Sequence, residues 1–144
     1  MVIQLIHFFR QLFRRKAVPK KVIFIGIDYL CFSLSKSLLD NNKYAEQPIE
    51  IIAFIDDEPW NNRTQVHGVT VFSPSEISAL VLKHKIDLII QIHGESISIA
   101  ENIWVGILKT KANLVTLEQT QDLATMQNLV YQACANSNNT KSSN

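Results

Sequence analysis

From residue 22 onward the chain alternates between short, continuous apolar runs and longer stretches whose apolar residues recur three or four positions apart. The runs at 22–25, 49–55, 69–72, 87–92 and 113–117 are the length of strands and rich in β-branched residues. With no polar alternation in VIFI or LIIQI, they read as strands buried on both faces. Between them, Leu30, Leu34 and Leu38 stand four apart in a helix over 29–39. Further helical patterns run to about His84, over about 97–111, and from beyond the last strand to about Ala133.

Punctuation agrees with this division. Asp56-Asp57-Glu58-Pro59 ends the second strand abruptly, and 58–68 reads as a loop. Ser73-Pro74-Ser75-Glu76 combines an N-cap Ser, Pro at the first helical position and Glu three residues after the cap, which is a capping-box start. Residues 135–144 (ANSNNTKSSN) are polar and of low complexity, and predict a disordered tail. One body, 20–134, remains, with no internal repeat.

Strands separated by single helices imply βαβ units: an α/β, three-layer fold with a parallel sheet of about five strands. In such sheets ligands bind beyond the carboxyl ends of the strands. The residues placed there are Gly26, Ile27, Asp28, Tyr29, Asp56, Asp57, Ser73 and 93–96, beginning with His93. Among these, Gly26, Ile27, Asp28, Tyr29, Asp56, Asp57 and His93 are the candidate ligand contacts. No nucleophile accompanies His93, and no His or second ligand group is spaced to join Asp56 and Asp57 around a metal. The expectation is no catalytic residue, no metal and no enzyme activity.

Charge changes the picture at the amino terminus. Residues 1–21 hold Arg10, Arg14, Arg15, Lys16, Lys20 and Lys21 with no acid, whereas 22–144 count eight basic against thirteen acidic residues, or −5. On a helical wheel Gln4, His7, Arg10, Gln11, Arg14 and Arg15 share one side of 1–18, and Val2, Leu5, Ile6, Phe8, Phe9, Leu12 and Phe13 fill the rest. This predicts a basic amphipathic helix, too short to span a bilayer and lacking a signal-peptide cleavage site. It packs on the domain or on a second copy in a homodimer, or it lies on an anionic membrane surface. An acidic body gives no reason to expect nucleic acid as partner. Cys31 and Cys134 lie in apolar helical patterns and read as buried thiols of a cytoplasmic protein.

The segments KKVIFIG, IIAFIDDEP, HGVTVFSPSEI and HKIDLIIQI, in that order, resemble a family. They are similar to the Rossmann-like, CoA-binding-like amino-terminal domain of bacterial polysaccharide-biosynthesis nucleotide-sugar epimerases and dehydratases. The same domain precedes some polyprenyl-phosphate sugar transferases. The resemblance covers about residues 10–120, and FIDDEP followed by HGVTVF is its most specific part. It implies a Rossmann-like fold, cytoplasmic and peripheral at the inner membrane face. It places Gly26 at the first glycine of the phosphate loop and Asp56 where an acid can accept hydrogen bonds from a ribose.

Two departures alter what the resemblance implies. The second and third glycines of G-x-G-x-x-G are Asp28 and Cys31. Tyr29, Tyr44 and Tyr131 are followed four residues later by Ser33, Pro48 and Ala135, so no Tyr-x-x-x-Lys is present. Asp28 is expected to cap the following helix with its own carboxylate, using the amides a phosphate needs. The resulting expectation is a non-catalytic binding or regulatory module with a degenerate phosphate loop and no cofactor. The alternative is a module that binds NAD(P), CoA or a nucleotide sugar such as a UDP-sugar, as a sensor or as a subunit beside a separate catalytic chain.

Overall fold

A computed structural model describes the backbone of residues 17–95 and 97–142 and the side chains through residue 137. The expected leader helix, 1–18, falls outside the described residues except for its last two positions. The β-branched runs form β1 (Lys20–Ile25), β2 (Ile49–Ile55), β4 (Val69–Phe72), β5 (Leu88–His93) and β6 (Asn113–Glu118), with a two-residue β3 (Gln65–Val66) ahead of β4. The helices are α1 (Tyr29–Asn41), α2 (Ile77–His84), α3 (Glu101–Lys109) and α4 (Leu123–Ser142).

The sheet order is β3-β4-β2-β1-β5-β6. Five strands run parallel and β3 pairs antiparallel with β4. Counting only the parallel strands, the order is 3-2-1-4-5, a Rossmann-like arrangement whose direction of winding reverses between β1 and β5. The fold is thus the α/β three-layer one that the apolar runs predict, widened by a hairpin. His67 and Gly68 turn that hairpin with φ of 52° and 76°, the left-handed pair that a two-residue turn requires.

Alternate strand positions feed two cores. Val22, Phe24, Leu88, Ile90 and Ile92 face Cys31, Leu34 and Leu38 of α1 and Met126, Val130 and Cys134 of α4. Ile23, Ile25, Ile89 and Ile55 face Ile77, Leu80 and Val81 of α2 and Ile107 of α3. The β1–β2 register shifts after Val22, which pairs with Ile51 while Ile23 pairs with Ala53. This bulge lets Ile51 and Phe54, an odd step apart, reach the same core. Phe54 then stacks on Phe24, ring centroids 5.5 Å apart.

Two element boundaries correct the sequence reading. α4 runs past Ala133, where the sequence reading ends the last helix, and continues through Ser142. Ser137 is buried and its Oγ donates to the Cys134 carbonyl, so a polar residue is accommodated by bonding back to its own helix. α3 begins at Glu101 rather than near 97, because Ile99 is buried in the α2–α3 layer while the chain there is still irregular.

Candidate functional site at the carboxyl edge of β1 and β5

Gly26 follows β1 with φ of 117°, a conformation that side chains resist, and its amide donates to the Ile55 carbonyl at 2.8 Å. The turn therefore depends on the one loop glycine this sequence retains. Ile27 is half-buried against the α1–α4 core. Asp28 is exposed in an extended conformation at the N-cap, and its carbonyl accepts the first helical hydrogen bond, from Phe32 N at 2.8 Å.

The Asp28 carboxylate makes no capping hydrogen bond. This corrects the sequence reading, and the physical reason is a competitor. The carboxylate of Glu95, in the loop after β5, accepts from the amides of Leu30 at 2.6 Å and Cys31 at 3.2 Å. These amides precede the first intrahelical bond of α1, where unpaired N–H groups and the helix dipole attract an anion. A single carboxylate from across the sheet fills that position, and a second one beside it would add only repulsion.

The sheet order makes this contact possible. β1 and β5 are parallel neighbours, with Ile25 opposite Gln91, so their carboxyl-end loops emerge side by side. Gly94 turns the β5 loop with φ of 94°, and a Cβ there would meet the Gln119 side chain at 2.5 Å. The turn brings Glu95 over the start of α1. The consequence reaches the neighbouring thiol. Burial, then the charges of Glu95 and Asp28, and a hydrogen bond with Glu95 push the Cys31 thiol far above its ordinary range. Its Sγ lies 3.7 Å from the Ile25 carbonyl.

The other candidates lie at this edge but are otherwise engaged. Asp56 is 6% exposed, and its Oδ2 accepts from Asn61 Nδ2 at 2.8 Å and Glu58 N at 3.3 Å. It orders the turn that ends β2. Asp57 and Tyr29 are exposed. His93 ends β5 opposite Glu118 of β6, its Nδ1 3.0 Å from Glu118 Oε2 on an exposed surface, where such a pair adds little stability. Ser73 caps the short 3-10 turn Pro74–Glu76 that leads into α2, its N–H and Oγ–H both donating to Glu76. Among the described residues no three His, Cys, Asp or Glu side chains gather as a metal-ligand set.

Glu95 is the residue that the sequence reading placed in the edge region (93–96) without giving it a role. A signal existed: an acid straight after Gly, just past the end of the strand that neighbours β1 at the reversal of winding. A groove of about 500 Å³ lies elsewhere, along α1 and the first turn of α4, lined by Phe32, Lys36, Tyr44 and Leu123 among others.

No family model matches the chain, and no curated protein matches it significantly in sequence. Solved structures share its fold. UDP-D-quinovosamine 4-dehydrogenase from Vibrio fischeri superposes with a TM-score of 0.58 at 22% identity, over 75% of this chain and 85% of that one. RSP, a Rex-family repressor, gives 0.53 at 11% identity over 97% of this chain and 70% of its own; it has also been solved with beta-NADH. Homoserine dehydrogenase of S. aureus gives 0.54 at 12% identity over 84% of this chain and 31% of that enzyme. At these identities the likeness establishes a Rossmann-like fold.

Proposed function

We propose that this chain is a non-catalytic, Rossmann-like binding module whose phosphate position is taken by its own Glu95. The observation that carries the reading is the pair of hydrogen bonds from Leu30 N and Cys31 N to that carboxylate. An incoming diphosphate competes for those amides and meets the charges of Glu95 and Asp28. At ~4 Å each repulsion is roughly 1–4 kcal/mol for dielectrics between a protein surface and water. Tenfold in affinity is about 1.4 kcal/mol, so micromolar dinucleotide binding falls toward millimolar. The committed carboxylate of Asp56 supports the same reading, because a ribose would have to break its bonds to Asn61 and Glu58.

The fold shared with a UDP-sugar dehydrogenase supports kinship with nucleotide-sugar enzymes, and the chain's own motifs support an accessory role beside them in polysaccharide biosynthesis. The retained turn at Gly26 favours the second reading, a nucleotide sensor in which ligand displaces Glu95. Calorimetric titration with NADH, CoA and a UDP-sugar separates the two. The wild type is expected to give no heat at sub-millimolar ligand, while Glu95→Ala combined with Asp28→Gly gains at least tenfold in affinity. Micromolar binding by the wild type overturns the proposal in favour of the sensor.

A further inference from the structure

The helices of a parallel α/β sheet return to its amino edge, and here they carry lysines there. Lys83 lies in the last turn of α2, which ends at His84, and Lys85 caps it in a left-handed conformation; Lys109 ends α3 and Lys111 follows, also left-handed. All four are exposed. Register brings the two groups together, because Leu88 at the start of β5 pairs with Asn113 at the start of β6. The chain's entry point adjoins them. Asp87 N donates to the Lys21 carbonyl at 2.8 Å, and Lys21 N donates to Asp87 Oδ2 at 2.9 Å. The exposed acids of this edge, Glu46 and Glu50, lie apart, on β2 and the connection from α1, and Asp40 near the end of α1 is paired with Lys36 at 2.8 Å.

Exposed apolar side chains occupy the same place. Val18 is 82% exposed, Leu82 beside Lys83 is 69% exposed, and Leu108 beside Lys109 is 64% exposed. A leucine next to a lysine at two adjacent helix ends suits an interface with an apolar interior and anionic headgroups, where lysine stems lie along apolar matter and the ammonium stays in water. Nucleic acid or an acidic protein supplies the charge without the apolar depth. The opposite edge carries Asp28, Asp57, Glu58 and Glu118, all exposed. The molecule is therefore bipolar along the strand direction.

We propose that the amino edge of the sheet, through Lys83, Lys85, Lys109, Lys111, Leu82 and Leu108, is a docking surface for an anionic lipid bilayer. The acidic carboxyl edge then points away from the membrane. The surface adjoins the basic segment 1–16 in sequence, but the proposal concerns the folded body. It is independent of whether Glu95 excludes a nucleotide.

The test is co-sedimentation of the full chain with phosphatidylcholine vesicles, with and without roughly 30% phosphatidylglycerol. Each lysine near such a surface is worth about fivefold in partitioning. The wild type is expected to bind the anionic vesicles and not the neutral ones. Changing all four lysines to Gln, with residues 1–16 intact, is expected to weaken binding at least tenfold, and Leu82→Gln with Leu108→Gln to weaken it several-fold. Thermal unfolding followed by circular dichroism checks the fold. Should the fourfold variant unfold, Lys83→Gln with Lys109→Gln, both on exposed helix surface, must still lose at least threefold. Partitioning within twofold of wild type by the folded variant overturns the proposal. So does equal binding to neutral vesicles, or capture of single-stranded RNA without vesicle binding.

Discussion

At the level of single residues, two carboxylates stand near one helix start and only one of them is bonded to it. Asp28 occupies the N-cap position, yet Glu95 holds the amides. Their substitutions should therefore differ in a way that sequence position does not suggest. Glu95→Ala leaves two α1 amides without their acceptor and is expected to cost about 1–2 kcal/mol, the range of a lost cap. Asp28→Ala is expected to lie within about 0.5 kcal/mol of wild type, as for an exposed side chain without a partner. Urea denaturation of both variants measures this; an Asp28 effect larger than the Glu95 effect would restore the self-capped loop. What made the arrangement illegible in the sequence is distance along the chain. Leu30 and Glu95 are 65 residues apart, and only the order β1-β5 brings their loops together.

Among the elements, local chemistry was readable wherever it was complete within a few residues. The capping box is the best example. Glu76 accepts from the N–H and Oγ–H of Ser73 and pairs with Arg63, whose Nη2 lies 2.6 Å away and whose guanidinium also stacks over Phe72 at 4.4 Å. Burial works against ionisation of Glu76, but the bonds from Arg63 and Ser73 outweigh it and hold the carboxyl below its ordinary value. A lowered acid stabilises the fold above its unfolded pKa, and that contribution is lost as pH falls through the native value. Glu76→Ala is expected to cost about 1 kcal/mol at pH 7, with a smaller difference from wild type near pH 3; an unchanged difference would assign the effect to packing instead.

The limits of legibility at this scale are equally physical. The five parallel strands were visible as short runs rich in β-branched and apolar residues; β1 and β5 at the centre are buried on both faces, whereas the edge strand β6 leaves Leu114, Thr116 and Glu118 exposed. β3 was not, since two residues carry no periodicity, although the His67-Gly68 pair that turns its hairpin was present. The end of α4 was hidden by composition: polar residues there read as tail, whereas helix continuation depends on the buried stripe Met126, Val130, Cys134 that precedes them.

For the whole molecule, the α1–α4 layer buries two thiols, and this makes stability sensitive to alkali. Burial, opposed by Lys20 and aided by Asp87, pushes the Cys134 thiol from 9.0 up to about 11; Cys31 is pushed higher still. A raised pKa means the folded state keeps protons that the unfolded chain releases. Stability is therefore intact below the unfolded value and declines as pH rises above it. The slope approaches about 1.4 kcal/mol per pH unit for each thiol. Urea midpoints should fall between pH 8.5 and 10.5 (roughly, from the thiol range), and Cys134→Ala should flatten that fall. Equal slopes in the two proteins would contradict the assignment. Distribution of charge matters at this scale too, since acids gather at one edge of the sheet and lysines at the other.

The claim that joins these scales is that the anion position at the start of α1 is already occupied by Glu95. Amide resonances of Leu30 and Cys31 report it directly. In the wild type they are expected to stay in place when NADH or a UDP-sugar is added at sub-millimolar concentration, and to shift markedly on Glu95→Gln. Amides that move with micromolar nucleotide in the wild type, or that are indifferent to the loss of the Glu95 charge, would contradict it.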